Sequence, residues 1–470
     1  MAVPERFVRR MVHATVLVTA LLASGGMFRA AAAGEGVDFP AAMEKALRSN
    51  ATLAAAGFET DAAREDARAA RGLYLPRLSF EEKFVRTNLP AEAFALKLNE
   101  ERLLASDFAD VRNFNEAPPI HDFIATFTLE QPVFAPKAWF GLGMAAREAH
   151  AKGLDFSRRR EEVVYQLLFA YLDLLTAKEY RKVAEQGLSD AREHHRLAEV
   201  LERNGMGLFS DLLRAKVFLA TAEAEKVTAE NRVLLAMTAL GLAIGERRGA
   251  RVDAVGPVPE LPERGSLEGR ISALPSLRSD LRAFSLRVEN AKEQVAFERS
   301  GYLPAVGVTG VYQIDGQDGP FSPDNRSWKV GVGLSWNLFD GFQREAAVAK
   351  SVAERAGAQE VFRGASDRAA FEVTQAWLAV EEAERRLAIA RAAAEAAEEG
   401  ARLVKARYEN QLARMIDLLD AQTALNGSRA DGIRAANDLQ QSRGRLEAAS
   451  GTLLSWALSV SRENDGKGNP

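Results

Sequence analysis

The sequence predicts a mainly helical protein with four β-strands, built from one unit that occurs twice. Three observations predict this fold: a repeated pattern, two proline-free helical segments of great length, and short alternating segments between helices. Pro76 and Pro304 are 228 residues apart, and Asp211 and Asp417 are 206 apart. Constant offsets of this size indicate two similar halves in one architecture, and not a short-period solenoid.

The domain organisation follows from the duplication and from the N-terminus. We predict a signal peptide over 1–33, a first helix–β-hairpin–helix repeat over 34–260 and a second over 261–470. Arg6, Arg9 and Arg10 precede an apolar stretch and an alanine-rich cleavage site, which is typical of a secretory signal. An uncleaved membrane anchor is the alternative. After it we expect no transmembrane helix, because no run of about 18 apolar residues follows.

Composition excludes several classes of function. The chain has no cysteine, so disulfides, thiolate metal sites and a cysteine nucleophile are excluded. Its net charge of −4 gives no reason to expect nucleic acid as a partner. No catalytic set, phosphate loop or metal motif is present, and the adjacent His194 and His195 point to different faces of a helix. We therefore predict no enzyme activity, no metal and no cofactor.

Helical periodicity predicts three helical segments in each half. In each half, the long segment is about as long as the two shorter segments placed end to end. A paired coiled-coil shaft requires this match in length. At ~1.5 Å per residue, a long segment spans roughly 100 Å. The predicted segments are 40–72, 138–204 and 208–245 in the first half, and 270–300, 343–409 and 414–456 in the second.

Alternating segments predict one β-hairpin in each half, at about 77–131 and 305–338. From Ser327 to Leu338, apolar residues alternate with small or polar ones. Trp328 and Trp336 are eight residues apart, or ~26 Å along one strand face. An outer-membrane apolar band between aromatic girdles is about 25 Å tall. The pattern favours membrane strands, and an amphipathic sheet on a soluble core is the alternative.

Four strands cannot close a membrane barrel alone. Known barrels have at least about eight strands, and open sheet edges are not tolerated in lipid. If these strands cross a membrane, several chains must share one barrel. Two chains would give eight strands and three would give twelve, and the sequence physics does not choose between them.

Several ordered motifs carry a family resemblance. They are the Tyr-Leu-Pro strand starts at Tyr74 and Tyr302, the strand-to-helix junctions at Pro132–Phe134 and Asn337–Gly341, and the stretch Tyr408–Ala421. With these motifs the chain resembles the outer membrane efflux protein family, the TolC-like channel-tunnels. The resemblance implies a homotrimer with a twelve-stranded barrel in the outer membrane and a long helical barrel in the periplasm. It implies a passive exit duct, working with a periplasmic adaptor (a membrane fusion protein) and an inner-membrane transporter in efflux or type I secretion.

The resemblance also implies roles for tip residues. Asp417 and Asp420 share one helix face and match the aspartates that line the narrowest point at the periplasmic tip. Six carboxylates in a trimer would attract cations, and crowding would raise some of their pKa values. Tyr408 matches a tyrosine that helps hold the tip closed. The alternatives are two solvated acids and a tyrosine in a heptad core.

The first-half tip is expected to dock the adaptor. Gly205 and Gly207 suit a tight helix–helix turn, and Asp211 stands where Asp417 stands in the second half. At the second tip, Gln411 occupies a position where the family commonly has glycine, which leaves the shape of that turn open. Trp328 and Trp336 are the predicted membrane girdle.

Two other kinds of protein remain possible from the residues alone. A periplasmic adaptor has one helical hairpin flanked by β domains, whereas this sequence repeats a helix–hairpin–helix unit. A secreted coiled-coil structural protein would not be retained in the outer membrane and would not conduct ions.

Overall fold

A computed structural model describes residues 36–321 and 325–467. The predicted signal peptide lies outside the described residues. The chain is mostly helical with one four-stranded sheet, which confirms the predicted fold class.

The helices repeat almost residue for residue between the two halves. The two longest have 68 and 67 residues, and each is followed by a helix of 36 residues. The main helices are α1 (Phe39–Ser49), α2 (Ala51–Gly72), α3 (Pro90–Asn99), α4 (Pro136–Arg203), α5 (Phe209–Ile244), α6 (Leu267–Leu277), α7 (Ser279–Arg299), α8 (Gln343–Glu409), α9 (Met415–Ser450) and α10 (Leu453–Lys467).

The first predicted helix of each half is in fact two helices. Asn50 separates α1 from α2, and its Oδ1 accepts hydrogen bonds from the backbone N–H groups of Thr52 at 3.0 Å and Leu53 at 3.3 Å. Asparagine is a preferred N-cap because this oxygen replaces a missing helical acceptor. Arg278 holds the corresponding position between α6 and α7, where it has no side-chain capping bond. Periodicity alone does not reveal these breaks, because the apolar face continues through them.

Matching glycines end the two 36-residue helices. Gly245 after α5 has φ 87° and Gly451 after α9 has φ 77°, a left-handed conformation that favours glycine. In both, the next N–H closes a Schellman turn at 2.9 Å, from Glu246 to the Gly241 carbonyl and from Thr452 to that of Glu447. The duplication therefore extends to the capping chemistry.

Four long strands form one antiparallel sheet in sequence order, and Gly36–Val37 and Asp253–Ala254 form a separate two-residue parallel pair. The four long strands are β1 (Arg77–Thr87), β2 (Ile120–Phe134), β3 (Ala305–Gly316) and β4 (Asn325–Ser335). The two predicted hairpins are confirmed, and β2 and β3 join them into one sheet. β4 ends at Ser335, so Trp336 directly follows the strand. All four strands connect to helices at one end of the sheet and to loops at the other.

One face of the sheet is apolar and aromatic. Phe80, Phe127, Tyr312 and Trp328 lie side by side across the four strands. The rings of Phe80 and Phe127 are 4.9 Å apart, within the favourable range for aromatic pairs. Trp328 is 77% exposed, so within the chain this face is largely uncovered.

The opposite face is polar. The neighbouring row across the same strands is Glu81, Thr126, Gln313 and Ser327. Since side chains alternate between faces along a strand, the register places the aromatic residues on one face and most of the polar residues on the other.

The described chain packs as two compact units. The first combines residues up to Ala46 with Leu167–Pro259 and Ala390–Asn437, and it holds both helix–helix turns. The second combines Leu47–Gln166, Glu260–Ile389 and the residues from Asp438, and it holds the sheet. Each unit takes segments from both repeats, so the repeats are interleaved.

One described helix passes a length-and-composition test for a membrane span. An 18-residue window of α5 has a mean hydropathy of 1.3 and is 28% buried. α5 is therefore a candidate span by composition, although every 18-residue window in it includes charged residues and none is an uninterrupted apolar run. A single helix of this kind is weak evidence for a membrane span, because core helices pass the same test. Its exposed apolar side chains include Leu235 and Leu242.

Candidate functional site

The first tip turn joins α4 to α5 through two glycines. Gly205 has φ 69°, and the N–H of Met206 bonds to the Leu201 carbonyl at 2.8 Å in a Schellman turn. A Cβ on Gly207 would lie 3.0 Å from the Glu202 nitrogen, so this position needs glycine for close approach. The geometry thus explains both glycines that the sequence singled out.

The second tip turn has the same shape without glycine. Gln411 adopts φ 62°, and the N–H of Leu412 bonds to the Arg407 carbonyl at 2.8 Å. A left-handed conformation is unfavourable for a residue with a Cβ, so this turn carries local strain. The Gln411 amide lies 3.6 Å from the Met206 sulfur and so links the two turns.

Tyr408 lies in the core behind the turns. It is 7% exposed and packs in a cluster with Ala198, Ala215, Met415, Leu418 and Leu419. Burial raises the pKa of Tyr408, and the nearby carboxylate of Asp211 raises it further. Among the described residues its hydroxyl has no hydrogen-bond partner. The geometry agrees with the heptad-core interpretation, and the gating role of Tyr408 stays a prediction.

Asp417 and Asp420 lie in the first two turns of α9, on one face. Arg414 donates from Nη2 to Asp417 Oδ1 at 2.9 Å and from Nε to Oδ2 at 3.2 Å. The Arg414 side chain and backbone N–H together hold the pKa of Asp417 below its usual value. Asp420 is exposed.

Sequence reasoning missed Arg414, although its place three residues before Asp417 is a helical pairing distance. Within one chain, Arg414 offsets one of the two negative charges on this face. The expected rise in aspartate pKa values is therefore not seen for Asp417 within the chain, where a guanidinium is its nearest charge.

Asp211 lies in the first turn of α5, partly exposed, with its N–H 2.9 Å from the Leu208 carbonyl. A carboxylate there interacts favourably with the positive end of the helix dipole. Asp211, Tyr408 and the second-turn residues lie within the same unit.

The predicted girdle tryptophans are both exposed. Trp328 is on the apolar face of β4, and Trp336 follows the strand with its Nε1 donating to the Tyr302 carbonyl at 3.0 Å. Arg344 lies over the Tyr302 ring at 4.8 Å and donates to Asp340 at 2.8 Å. These bonds explain why the Tyr302 and Asn337–Gly341 motifs occur together, since each holds part of the same strand-to-helix junction.

The described residues contain no group of three or more histidines or acids arranged to hold a metal ion. His194 is buried, and neither of its ring nitrogens has a partner. Burial lowers its pKa.

These features define a class of protein: a duplicated helical chain with one four-stranded sheet that has open edges, and two tip turns. The chain matches the outer membrane efflux protein family over residues 42–246 and 271–452, and it belongs to that family.

Curated relatives and solved structures agree with this assignment. OprJ of Pseudomonas aeruginosa is 26% identical over 56% of each chain, so the match spans just over half of that relative. PrtF of Dickeya chrysanthemi, a proteases secretion protein, is 21% identical over 73% of this chain and 71% of its own. The fold is that of the outer membrane protein VceC of Vibrio cholerae, with a TM-score of 0.74, 19% identity, and coverage of 88% of this chain and 96% of that one.

Proposed function

We propose that this protein is an outer-membrane channel-tunnel, a passive exit duct of a tripartite efflux or type I secretion system. The observation that carries the proposal is the four-stranded sheet, whose two edge strands are unpaired and whose one face is aromatic and exposed. In lipid such a sheet is not stable unless other strands cover its edges, and in water its open edges favour pairing with further strands.

Three copies of the sheet would complete the barrel. The edge strands β1 and β4 both have 11 residues, so β4 of one copy can pair with β1 of the next along its whole length. Twelve strands lie within the known range of membrane barrels. The aromatic face would then meet lipid, and the polar face would line a water-filled lumen.

The exposed apolar side chains of α5 support the same assembly. Val217, Leu235 and Leu242 are exposed in the single chain, and one 18-residue window of this helix carries at most two charged residues. Packing between copies would bury them, as in other helical barrels, and would explain why an apolar helix occurs outside the membrane.

The tip would be the selective end of the duct. Asp420 and the partly offset Asp417 of three chains would ring the axis at the constriction and favour cations. The turn with Gly205, Gly207 and Asp211 is the proposed docking surface for the periplasmic adaptor. The duct itself performs no chemical reaction, so an inner-membrane transporter must supply the energy. Some relatives are named for efflux and others for protease secretion, so the proposal includes both small exported compounds and polypeptides as cargo.

The native mass of the protein, extracted in detergent from the outer-membrane fraction, tests the proposal. A mass three times that of one processed chain, with ion conductance in planar bilayers, supports it. A soluble periplasmic monomer would exclude the duct and favour the adaptor or coiled-coil alternative.

A further inference from the structure

The connection between β1 and β2 is a folded segment, which we name the lid segment (88–119). It contains α3, a 3₁₀ turn at Ala105–Phe108 and a short helix at Arg112–Asn115. Lys97 on α3 pairs with Asp107 at 3.1 Å, and Asp107 also accepts the Leu104 N–H at 2.8 Å. These bonds give the lid segment a defined structure of its own.

The lid segment packs on the polar face of the sheet. Ala93 and Leu96 of α3 are buried against Ile120, with Val85 and Ile124 around them. Val85 and Ile124 alternate with the aromatic residues of their strands, so they lie on the polar face. α3 contacts β2 and also β4, so it crosses the sheet. In the proposed duct this face lines the lumen, and the loop end of the sheet is the outer end.

Three buried carboxyl groups join the lid segment to the strands. Glu100 follows α3, Asp122 is on β2 and Asp315 is on β3, and all three are almost fully buried. Asp122 Oδ1 accepts the Gly316 N–H at 2.8 Å, and Asp122 and Asp315 lie within hydrogen-bonding reach of each other. The second oxygen of each of the three carboxyl groups is buried without a partner.

The surrounding charges do not balance three carboxylates. On the lid segment, Arg102 pairs with Glu100, and within the described residues it is the one cation in an ion pair with any of the three carboxyl groups. On β1 the residue opposite Asp122 is Val85, and Lys83, one pair from it on the same face, pairs with Glu81 at 3.6 Å.

The two cations of the other neighbouring strand, β4, are not opposite the carboxyl groups: Arg326 is opposite Ile314 and Lys329 is opposite Val311. On β4 the residue opposite Asp315 is Asn325, which is neutral. The described residues do not form a metal-ligand set here. Because a buried, unpaired carboxylate is costly, burial and the charges of Asp315 and Glu100 favour a protonated Asp122 while the lid segment is seated.

We propose that the lid segment is a second constriction at the outer mouth of the duct, latched to the strands by a proton on the buried Asp122, beside Glu100 and Asp315. The latch releases when the external pH rises and Asp122 loses this proton to water, because its carboxylate is then repelled by the neighbouring acidic groups. This inference rests on the proposed function, since only a barrel gives the polar face a lumen.

Cysteine labelling tests the latch, because the chain has no native cysteine. Leu96→Cys places a thiol under the lid segment, where Leu96 is 6% exposed, and Leu98→Cys places one on the same helix at 55% exposure. Each detergent-purified full-length variant is treated with a polar maleimide between pH 5.5 and 8.5. The labelling rate at Leu96→Cys is divided by the rate at Leu98→Cys. This ratio cancels the effect of pH on thiol reactivity, which both variants share.

At pH 5.5 we expect the labelling rate of Leu96→Cys to be roughly tenfold lower than that of Leu98→Cys. At pH 8.5 we expect the two labelling rates to be similar. Adding Asp122→Asn, which supplies an amide donor at any pH, keeps the ratio low throughout. Adding Glu116→Gln, an exposed lid carboxylate, leaves the wild-type response. The latch is refuted if the ratio of the two labelling rates does not change with pH. It is also refuted if the ratio rises with pH in the Asp122→Asn background as it does in wild type.

Polymer exclusion in planar bilayers tests the constriction itself. Replacing 90–117 by a short Gly-Ser linker should admit larger polymers from the outer side, and this measurement is independent of the periplasmic tip. If the protein is a conducting trimer and the size limit is unchanged, the lid inference fails while the proposed function stands. If no conducting trimer forms from the wild-type chain, the proposed function fails.

Discussion

Arg278→Gln should destabilise the helical unit that contains it, because Arg278 is the centre of a buried ion cluster. Its Nε and Nη2 donate to the two oxygens of Asp280 at 3.0 and 2.6 Å, and its Nη1 donates to Glu372 at 2.7 Å. Nη1 also lies 3.3 Å from the Ala449 carbonyl. The cluster joins α7, α8 and α9.

The expected cost follows from burial of the two acids. Removing one partner of a buried ion pair costs about 3–5 kcal/mol, because the other charge is left unpaired. The side chains of Asp280 and Glu372 are 24% and 34% exposed, so water can partly replace the guanidinium. We therefore expect ~3 kcal/mol, the lower end of that range.

The same cluster makes the free energy of unfolding depend on pH. Burial opposes ionisation of Asp280 and Glu372, but the hydrogen bonds and charge of Arg278 outweigh it and lower the pKa of both. A lowered folded-state pKa stabilises the fold above the unfolded value, and this stability is lost as the pH falls through the folded value. The advantage of wild type over Arg278→Gln should therefore be full at pH 7.5 and shrink below about pH 4.

Guanidinium unfolding followed by circular dichroism at 222 nm, in detergent at pH 7.5 and 3.5, measures both effects. Arg282→Gln is the matched control, since Arg282 is an exposed arginine on the same helix. A double-mutant cycle with Asp280→Asn isolates the pair. A loss at pH 7.5 no larger than that of the control, or a loss that is the same at both pH values, would refute the reasoning.

Three further predictions concern the tip. Asp420→Asn should lower cation selectivity in planar bilayers, and Arg414→Gln should raise it, because Arg414 offsets one acid per chain. Gln411→Gly should raise the unfolding free energy by ~1 kcal/mol in denaturant titrations, because it relieves a left-handed conformation. Burial lowers the pKa of His194, so its contribution to stability should fall as the pH drops below about 6.5, measured by hydrogen exchange around the tip.

Each tip prediction has its own check. If Arg414→Gln leaves ion selectivity unchanged, the charge of Arg414 does not act at the constriction. Gly205→Gln places a glutamine in the equivalent turn of the first half. It should lower the unfolding free energy by about as much as Gln411→Gly raises it. The stability of the His194→Gln variant should no longer fall at low pH, whereas His195→Gln, at the neighbouring and more exposed position, should keep that fall. If His194→Gln keeps the fall and His195→Gln loses it, a group other than His194 causes it.

The sequence by itself determined the duplication, the helix and strand classes and the family. Offsets of 228 and 206 residues require matching elements, and the structure gives helices of 68 and 67 residues at the matched places. Alternation predicted the two hairpins and the separation of aromatic from polar residues. These properties are local or periodic, so the order of residues is sufficient to specify them.

Contacts between distant residues were decided only by the tertiary structure. Asn50 and Arg278 occupy the same place in the two repeats, yet one caps a helix and the other binds acids on α7 and α8. No local pattern shows that Glu100, Asp122 and Asp315 meet, because the join between β2 and β3 brings them together. Their burial depends on residues almost 200 positions apart in the chain, which only folding places side by side.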